Sequence, residues 1–167
     1  NMTSIKNYLI FVVDDNKILN RLTTEHLKKN GYSNVQSFFS GEACLESVKK
    51  GMIPDVVIED YNMTGINGID VLKTVKKKHP QTQFIFLTSN DDIEIAVNTI
   101  KYGAFDYIVK DSMSMEKLAY KMSTLTEILQ LQKTNSQVGW MKIAFLIVAV
   151  MVVTLSLFLA FVLGAFR

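Results

Sequence analysis

The chain has 167 residues, with 18 Lys+Arg, 16 Asp+Glu, one cysteine and two histidines. All 16 acids and 16 of the 18 cations lie in residues 1–137, so that part is balanced, and the net +2 comes from Lys142 and Arg167. These figures exclude a basic stripe for nucleic acid, an intramolecular disulfide and a His/Cys metal cluster. Cys44 alone suits a reducing compartment. His26 and His79 stand singly in Lys-rich surroundings and are expected on the solvated surface. Asn1 precedes Met2, which is the expected natural start.

Tyr8–Val13 (YLIFVV) is a continuous apolar run and predicts a strand buried on both faces, ending at Asp14-Asp15. Ile18, Leu19, Leu22 and His26-Leu27 recur at helical spacing until Asn30-Gly31. Val35–Phe39 predicts a short strand, and Ser40 caps a helix carrying Ala43, Leu45 and Val48 that Gly51 closes. Val56–Glu59 is the third strand and ends at Asp60. Ile69, Val71, Leu72 and Val75 mark a helix that stops before Pro80. Phe84–Leu87 predicts a fourth strand ending at Thr88. Ile93, Ile95, Ala96, Ile100 and Ala104 mark a fourth helix, broken by Gly103. Tyr107–Val109 is the fifth strand, ending at Lys110. Leu118, Met122, Leu125 and Leu129 form the inward stripe of a fifth helix. That helix is expected to fade in QLQKTNSQVG (130–139), with a short linker set over 132–142.

From Ile143 to Phe166 there is no charged residue. At about 1.5 Å per residue such a helix spans roughly 36 Å, enough to cross a hydrocarbon core of about 30 Å. The run predicts a transmembrane helix over 143–166, with Trp140 and Lys142 as interfacial anchors. Lys133 and Lys142 before the span, against Arg167 after it, place the preceding domain in the cytoplasm. Ser156, Ala160 and Gly164 fall at four-residue intervals, a small-residue face through which two copies of the helix would pair as a homodimer. Membrane lipid is thus an expected partner. Lys76-Lys77-Lys78 is expected as a solvated face and is a second place where anionic lipid would be met.

Five alternations of strand and helix predict an α/β fold, a doubly wound parallel sheet with helices on both faces and right-handed crossovers. Ligands of such sheets bind at the carboxyl ends of the strands. The residues expected there are Asp14, Asp15, Asp60, Thr88 and Lys110. Clustered carboxylates resist joint ionisation unless a cation joins them, and a hard oxygen set suits Mg²⁺, which accepts phosphate oxygens as well. Asp60 is the candidate nucleophile, Thr88 a donor to a phosphoryl oxygen, and Lys110 a cation for the charge that builds in transfer.

The motifs VVDDN, PDVVIEDYNMTGINGID, FLTSN and FDYIVK resemble those of response-regulator receiver domains, the chemotaxis-type single-domain regulators in particular, over about residues 6–131. The resemblance implies a flavodoxin-like strand order 2-1-3-4-5. It implies that Asp60 is phosphorylated by a sensor histidine kinase or a phosphotransfer protein. Mg²⁺ would be held by Asp14 or Asp15, with Asp15 the direct ligand, by Asp60, and by the backbone carbonyl of Asn62. Lys110 would contact the phosphoryl group, Thr88 would turn toward it, and Tyr107 would rotate inward behind Thr88. Asn62 and Asn90 occupy positions that tune how long the phosphoryl group persists.

Three residues depart from the pattern. Thr64 and Asp111 stand where the family usually has Pro. A trans Lys110–Asp111 peptide is expected, because a non-proline cis bond costs about 2.5–4 kcal/mol. Asp111 is expected to weaken the grip of Lys110 on phosphate. Glu59, on a strand predicted to be buried, is expected to reach solvent at the top of the sheet.

The function expected is that of a single-pass protein of the bacterial inner (cytoplasmic) membrane. It would take a phosphoryl group on Asp60 and signal to a downstream protein, without being an enzyme on a separate substrate and without nucleic acid. The alternative is a degenerate receiver used as a phosphorylation-independent membrane scaffold, motivated by Thr64 and Asp111. A phosphatase working through an aspartyl phosphate would want a second acid where Asn62 stands. A flavin phosphate would be repelled by the acidic first loop.

Overall fold

The computed structural model describes residues 7–89 and 93–165, so Asn90 lies outside the described residues. In chain order the elements are β1 (Ile10–Val13), α1 (Lys17–Lys29), β2 (Val35–Phe38), α2 (Gly41–Lys49), β3 (Val56–Glu59), α3 (Gly68–Lys78), β4 (Gln83–Thr88), α4 (Ile93–Lys101), β5 (Asp106–Val109) and α5 (Ser114–Ala165). The chain divides into two compact units, one ending at Lys121 and one beginning at Met122.

The five strands form one sheet of order β2-β1-β3-β4-β5, and every pairing is parallel. The order predicted from the resemblance is the one observed. Both neighbours of β1 align in the same register, Ile10 opposite Val35 on one side and Val56 on the other. Successive residues of β1 and β3 are all buried, so both faces of the sheet are covered, as unbroken apolar runs require. On one face Phe11, Val13, Val57, Phe84 and Phe86 pack with Cys44 and Val48 of α2 and Val71, Leu72 and Val75 of α3.

Three helices begin on a capping side chain, Ser40 as expected from the sequence and Asn16 and Asn67 in addition. Asn16 accepts from Ile18 and Leu19 N–H, Ser40 from Ala43 N–H, and Asn67 from Asp70 N–H. Gly31 and Gly51, with φ of 90° and 95°, follow α1 and α2, where a left-handed residue ends the helix without a Cβ clash.

Several expectations change. β1 begins at Ile10, with Tyr8 and Leu9 outside it, although Leu9 N–H still reaches Asp55 Oδ2 at 2.9 Å. The apolar residues that reveal α1 are only in part the ones it buries. Ile18 is 73% and Leu22 51% exposed, whereas Asn20, Thr23 and Leu27 are buried. The reason is chemical: carbonyls at the strand ends need donors, and Asn20 Nδ2 supplies Val12, Asp14 and Phe38. Likewise α4 shows Ile93, Val97 and Ile100 to solvent and buries Thr99. His26 and His79 are half-buried rather than solvated.

α5 is one helix of 52 residues, so the stretch 132–142 is helical where a linker was expected. Its polarity suggests a break, yet Gln, Lys and Met are good helix formers and the stretch contains no proline. Polarity sets which face meets water, and does not stop a helix. The inward stripe is buried at Leu118, Met122 and Leu125 and half-buried at Leu129. From Met141 to Ser156 every side chain is exposed, and by length and composition this helix is long and apolar enough to cross a membrane. The side chains of Ala160 and Gly164, from the small-residue face, lie outside the described set.

Candidate functional site

The parallel order fixes where the site lies. β1 and β3 are central neighbours in register, with Val13 beside Glu59, so the residues that follow each strand emerge together at one rim. Asp60 N–H donates to Val13 O at 2.9 Å, which locks the start of one loop to the end of the other strand. β5 delivers Lys110 to the same rim, where its N–H donates to Thr88 O at 2.7 Å.

Asp14, Asp15 and Asp60 each bring a carboxylate oxygen within 4.8 Å of the other two. Lys110 Nζ donates to Asp14 Oδ2 at 2.8 Å and to Asp60 Oδ2 at 3.1 Å. These ion pairs are nearly dry, with side-chain exposures of 12% for Lys110, 7% for Asp14 and 9% for Asp60. Burial pushes the Asp14 carboxyl above its ordinary range; its bonds to Lys110 and to the Asn16 N–H pull the other way, and nearby Asp60 adds to the rise. Asp60 Oδ2 is engaged by Lys110, while among the described residues Oδ1 receives only the Asn62 N–H, at 3.4 Å.

Thr88 is fully buried at the end of β4. Tyr107 on β5 is half-buried against the core around Phe86, its register partner. Asn62 is exposed just beyond Asp60. Of the seven residues picked from the sequence, Asp14, Asp15, Asp60 and Lys110 form one cluster. Asn62 touches it through its backbone N–H and Thr88 through its carbonyl. Tyr107 stands one strand pair back from it.

The Lys110–Asp111 peptide is trans, as expected. Asp111 does not draw on Lys110: it pairs with Lys117 Nζ at 2.6 Å and accepts the Met113 N–H at 2.9 Å. Glu59 corrects an expectation outright, being 0% exposed instead of reaching solvent. Among the described residues neither of its carboxylate oxygens has a hydrogen-bond partner, and burial pushes its carboxyl far up, with the neighbouring Asp60 charge adding to the rise. Strand alternation explains the error. The side chains of Val57 and Glu59 share one face, and on that face lies the core of Phe86, Val71 and Cys44.

Sequence reasoning missed Gly68 and Asn20. A Cβ on Gly68 would lie 2.5 Å from Asp60 O and 2.8 Å from the Phe86 ring, so only glycine lets α3 start this close to the acid. The glycine in NGID carried that signal.

Three carboxylates against one ammonium leave a surplus of negative charge in a half-dry pocket. The donors are all hard oxygens, so the residues fit Mg²⁺.

The family model for the response regulator receiver domain matches residues 10–123. The chain belongs to this family. Receiver domains bind Mg²⁺ at an acidic pocket and accept phosphoryl groups from histidine kinases or phosphotransfer proteins. Among curated proteins, the DNA-binding transcriptional regulator NtrC of Escherichia coli K12 is 32% identical over 102 residues, which cover 61% of this chain and 21% of NtrC. A putative NtrX-like response regulator of Rickettsia conorii is 29% identical over 127 residues, 75% of this chain and 26% of that protein. The chain thus spans about a fifth to a quarter of the length of these relatives. Among solved structures, the BeF3-activated receiver domain of DrrB superposes with a TM-score of 0.64 at 28% identity, over 72% of this chain and 98% of that one. NtrX of Brucella abortus gives 0.69 at 26% identity, over 78% and 30%.

Proposed function

We propose that this chain is a membrane-anchored phosphoacceptor. Asp60 takes a phosphoryl group from a phosphohistidine of a sensor kinase or phosphotransfer protein, and the change in charge alters the surface offered to a downstream protein. The observation that carries the reading is the bridging Lys110, bonded at once to Asp14 and Asp60 among three converging carboxylates.

Asp14, Asp15 and Asp60, with the Asn62 carbonyl, would hold Mg²⁺. When bound, the ion supplies positive charge against the oxygens of the transferring group. The chain's own residues do the rest. Asp60 Oδ1, the oxygen that Lys110 leaves lightly bonded, attacks phosphorus. The P–N bond to the donor imidazole breaks as the P–O bond forms, and the electron pair leaves with the imidazole nitrogen. Lys110 already sits 3.1 Å from Asp60, so its ammonium exchanges a carboxylate oxygen for a phosphoryl oxygen with little movement. A phosphorylated side chain carries a charge of about −1.5 to −2 near neutral pH, and that charge now stands at the rim. Thr88 and Tyr107 lie on β4 and β5 beside this change and are the elements through which it would be read, Thr88 by turning to the phosphoryl group and Tyr107 by moving inward.

Membrane anchoring draws its support from the uncharged run after Lys142 and from the exposure of every side chain between Met141 and Ser156. Exposed apolar helix of this length calls for lipid or another apolar cover. The scaffold alternative rests on Thr64 and Asp111. Asp111 is paired with Lys117, and Thr64 donates to Asp15, so neither removes an acid or the lysine from the cluster.

The test uses the full chain in detergent micelles with Mg²⁺ and acetyl phosphate or beryllofluoride. Resonances of Thr88, Tyr107 and Lys110 should shift, with a phosphate adduct on Asp60 under acetyl phosphate, and Asp60→Asn should abolish both. A wild-type chain that stays unchanged in both reagents ends the proposal. Partition of the chain into lipid vesicles, lost on truncation before Ile143, checks the anchor separately.

A further inference from the structure

We propose that Thr64 is a positioning residue for the Mg²⁺ site, holding the Asp15 carboxylate by one oxygen so that the other faces the ion. The inference rests on the reading of Asp14, Asp15 and Asp60 as Mg²⁺ ligands. Thr64 donates twice to the same atom: its backbone N–H reaches Asp15 Oδ2 at 3.0 Å and its hydroxyl reaches it at 3.1 Å. Oδ1 is left for a cation. Lys110 restrains Asp14 and Asp60 but not Asp15, which is exposed and sits in the loop after β1. Thr64 therefore does for Asp15 what Lys110 does for the other two acids: it keeps a carboxylate near like charges that repel it.

The β3–α3 loop is built to deliver these donors. Gly65 has φ of +89° and turns the chain, and the next N–H, that of Ile66, donates to Glu42 Oε1 at 2.9 Å. Asn67 then caps α3 by accepting from Asp70 N–H at 3.0 Å. Thr64, Ile66 and Asn67 are thus fastened in turn to β1's loop, to α2 and to α3, so the chain that follows Thr64 is anchored while Thr64 meets Asp15. The left-handed φ of Gly65 leaves the turn to glycine, and a Cβ there would also crowd the Glu42 carboxylate. A proline at position 64 would supply neither donor. Hydrogen bonds to a ligating carboxylate fix its orientation, and losing such a partner typically weakens metal affinity about 10–100-fold.

Mg²⁺ titration calorimetry on the full chain in micelles compares wild type, Thr64→Ser, Thr64→Ala and Thr64→Pro. Thr64→Ser keeps both donors and should bind within about twofold of wild type, while Thr64→Ala loses the hydroxyl and should bind roughly tenfold more weakly. Thr64→Pro, without either donor, should be the weakest. The unfolding midpoint of Thr64→Ala in magnesium-free buffer should match wild type, which separates positioning from general stability. Thr64→Ala binding as tightly as wild type, or more tightly, overturns the inference and leaves the site reading intact. A wild-type chain that takes up no Mg²⁺ overturns the site reading itself, and this inference with it.

Discussion

Glu59 and Asp60 are adjacent, carry the same functional group and live in opposite regions of the sheet. Asp60 emerges at the rim, where Lys110 and the Asn62 N–H meet it. Glu59 points into the interior, at zero exposure and with no partner for either oxygen among the described residues. A buried carboxylate without a partner costs more than a buried carboxylic acid, so the interior acid holds its proton, whereas the rim offers the charged form a lysine. One residue of strand separates a group kept for chemistry from one tolerated by the core.

The comparison breaks most easily at its cation. Lys110→Met leaves Asp14 and Asp60 at the rim with no counter-charge; removing one partner of a buried pair costs about 3–5 kcal/mol, and urea unfolding without Mg²⁺ should show a loss of that order. Added Mg²⁺ should return part of it. Gly68→Ala strikes both regions at once, because the new Cβ meets Asp60 O, the Phe86 ring and Glu59 Cγ at 2.5, 2.8 and 3.1 Å. Overpacking of this kind costs about 1–3 kcal/mol, and the variant should also take up phosphate from acetyl phosphate more slowly.

Glu59→Met sharpens the contrast by stabilising the fold, by about 1–2 kcal/mol at neutral pH, since it replaces an unpartnered buried polar group with an apolar one. Its pH dependence has a definite sign. The folded chain keeps the Glu59 proton above the usual 4.5 at which the unfolded chain releases it. Stability supplied by the neutral form is therefore complete below that value and declines as pH rises toward the folded-state value. Wild type should lose stability across that window relative to Glu59→Met, in unfolding curves taken at several pH values. The smallest effect is expected at Asp111→Ala. Its pair with Lys117 is about half exposed, so stability should move by no more than about 0.5 kcal/mol. A large loss of phosphoryl uptake there would show that Asp111 acts on Lys110 after all.

Much of the fold was legible because strand runs such as IFVV and FIFL are apolar without alternation, and their ends carry acids, a threonine and a lysine. The cluster of Asp14, Asp15, Asp60 and Lys110 followed from those ends and from the resemblance. What misled was side-chain direction. Ile18 and Leu22 announced α1 but face outward, because the helix must present Asn20 to three carbonyls. QLQKTNSQVG looks like a linker because it is polar, and is helical because none of its residues prevents it.

The residue order by itself determined the alternation of strands and helices, the cap at Ser40, and the uncharged run after Lys142. These depend on neighbours a few positions apart, and local spacing carries them. Only the tertiary structure decided that Glu59 is entombed, that Asp111 turns to Lys117, and that Thr64 reaches back 49 residues to Asp15. Those outcomes depend on which groups the sheet brings together across the chain, and no local pattern records such a meeting.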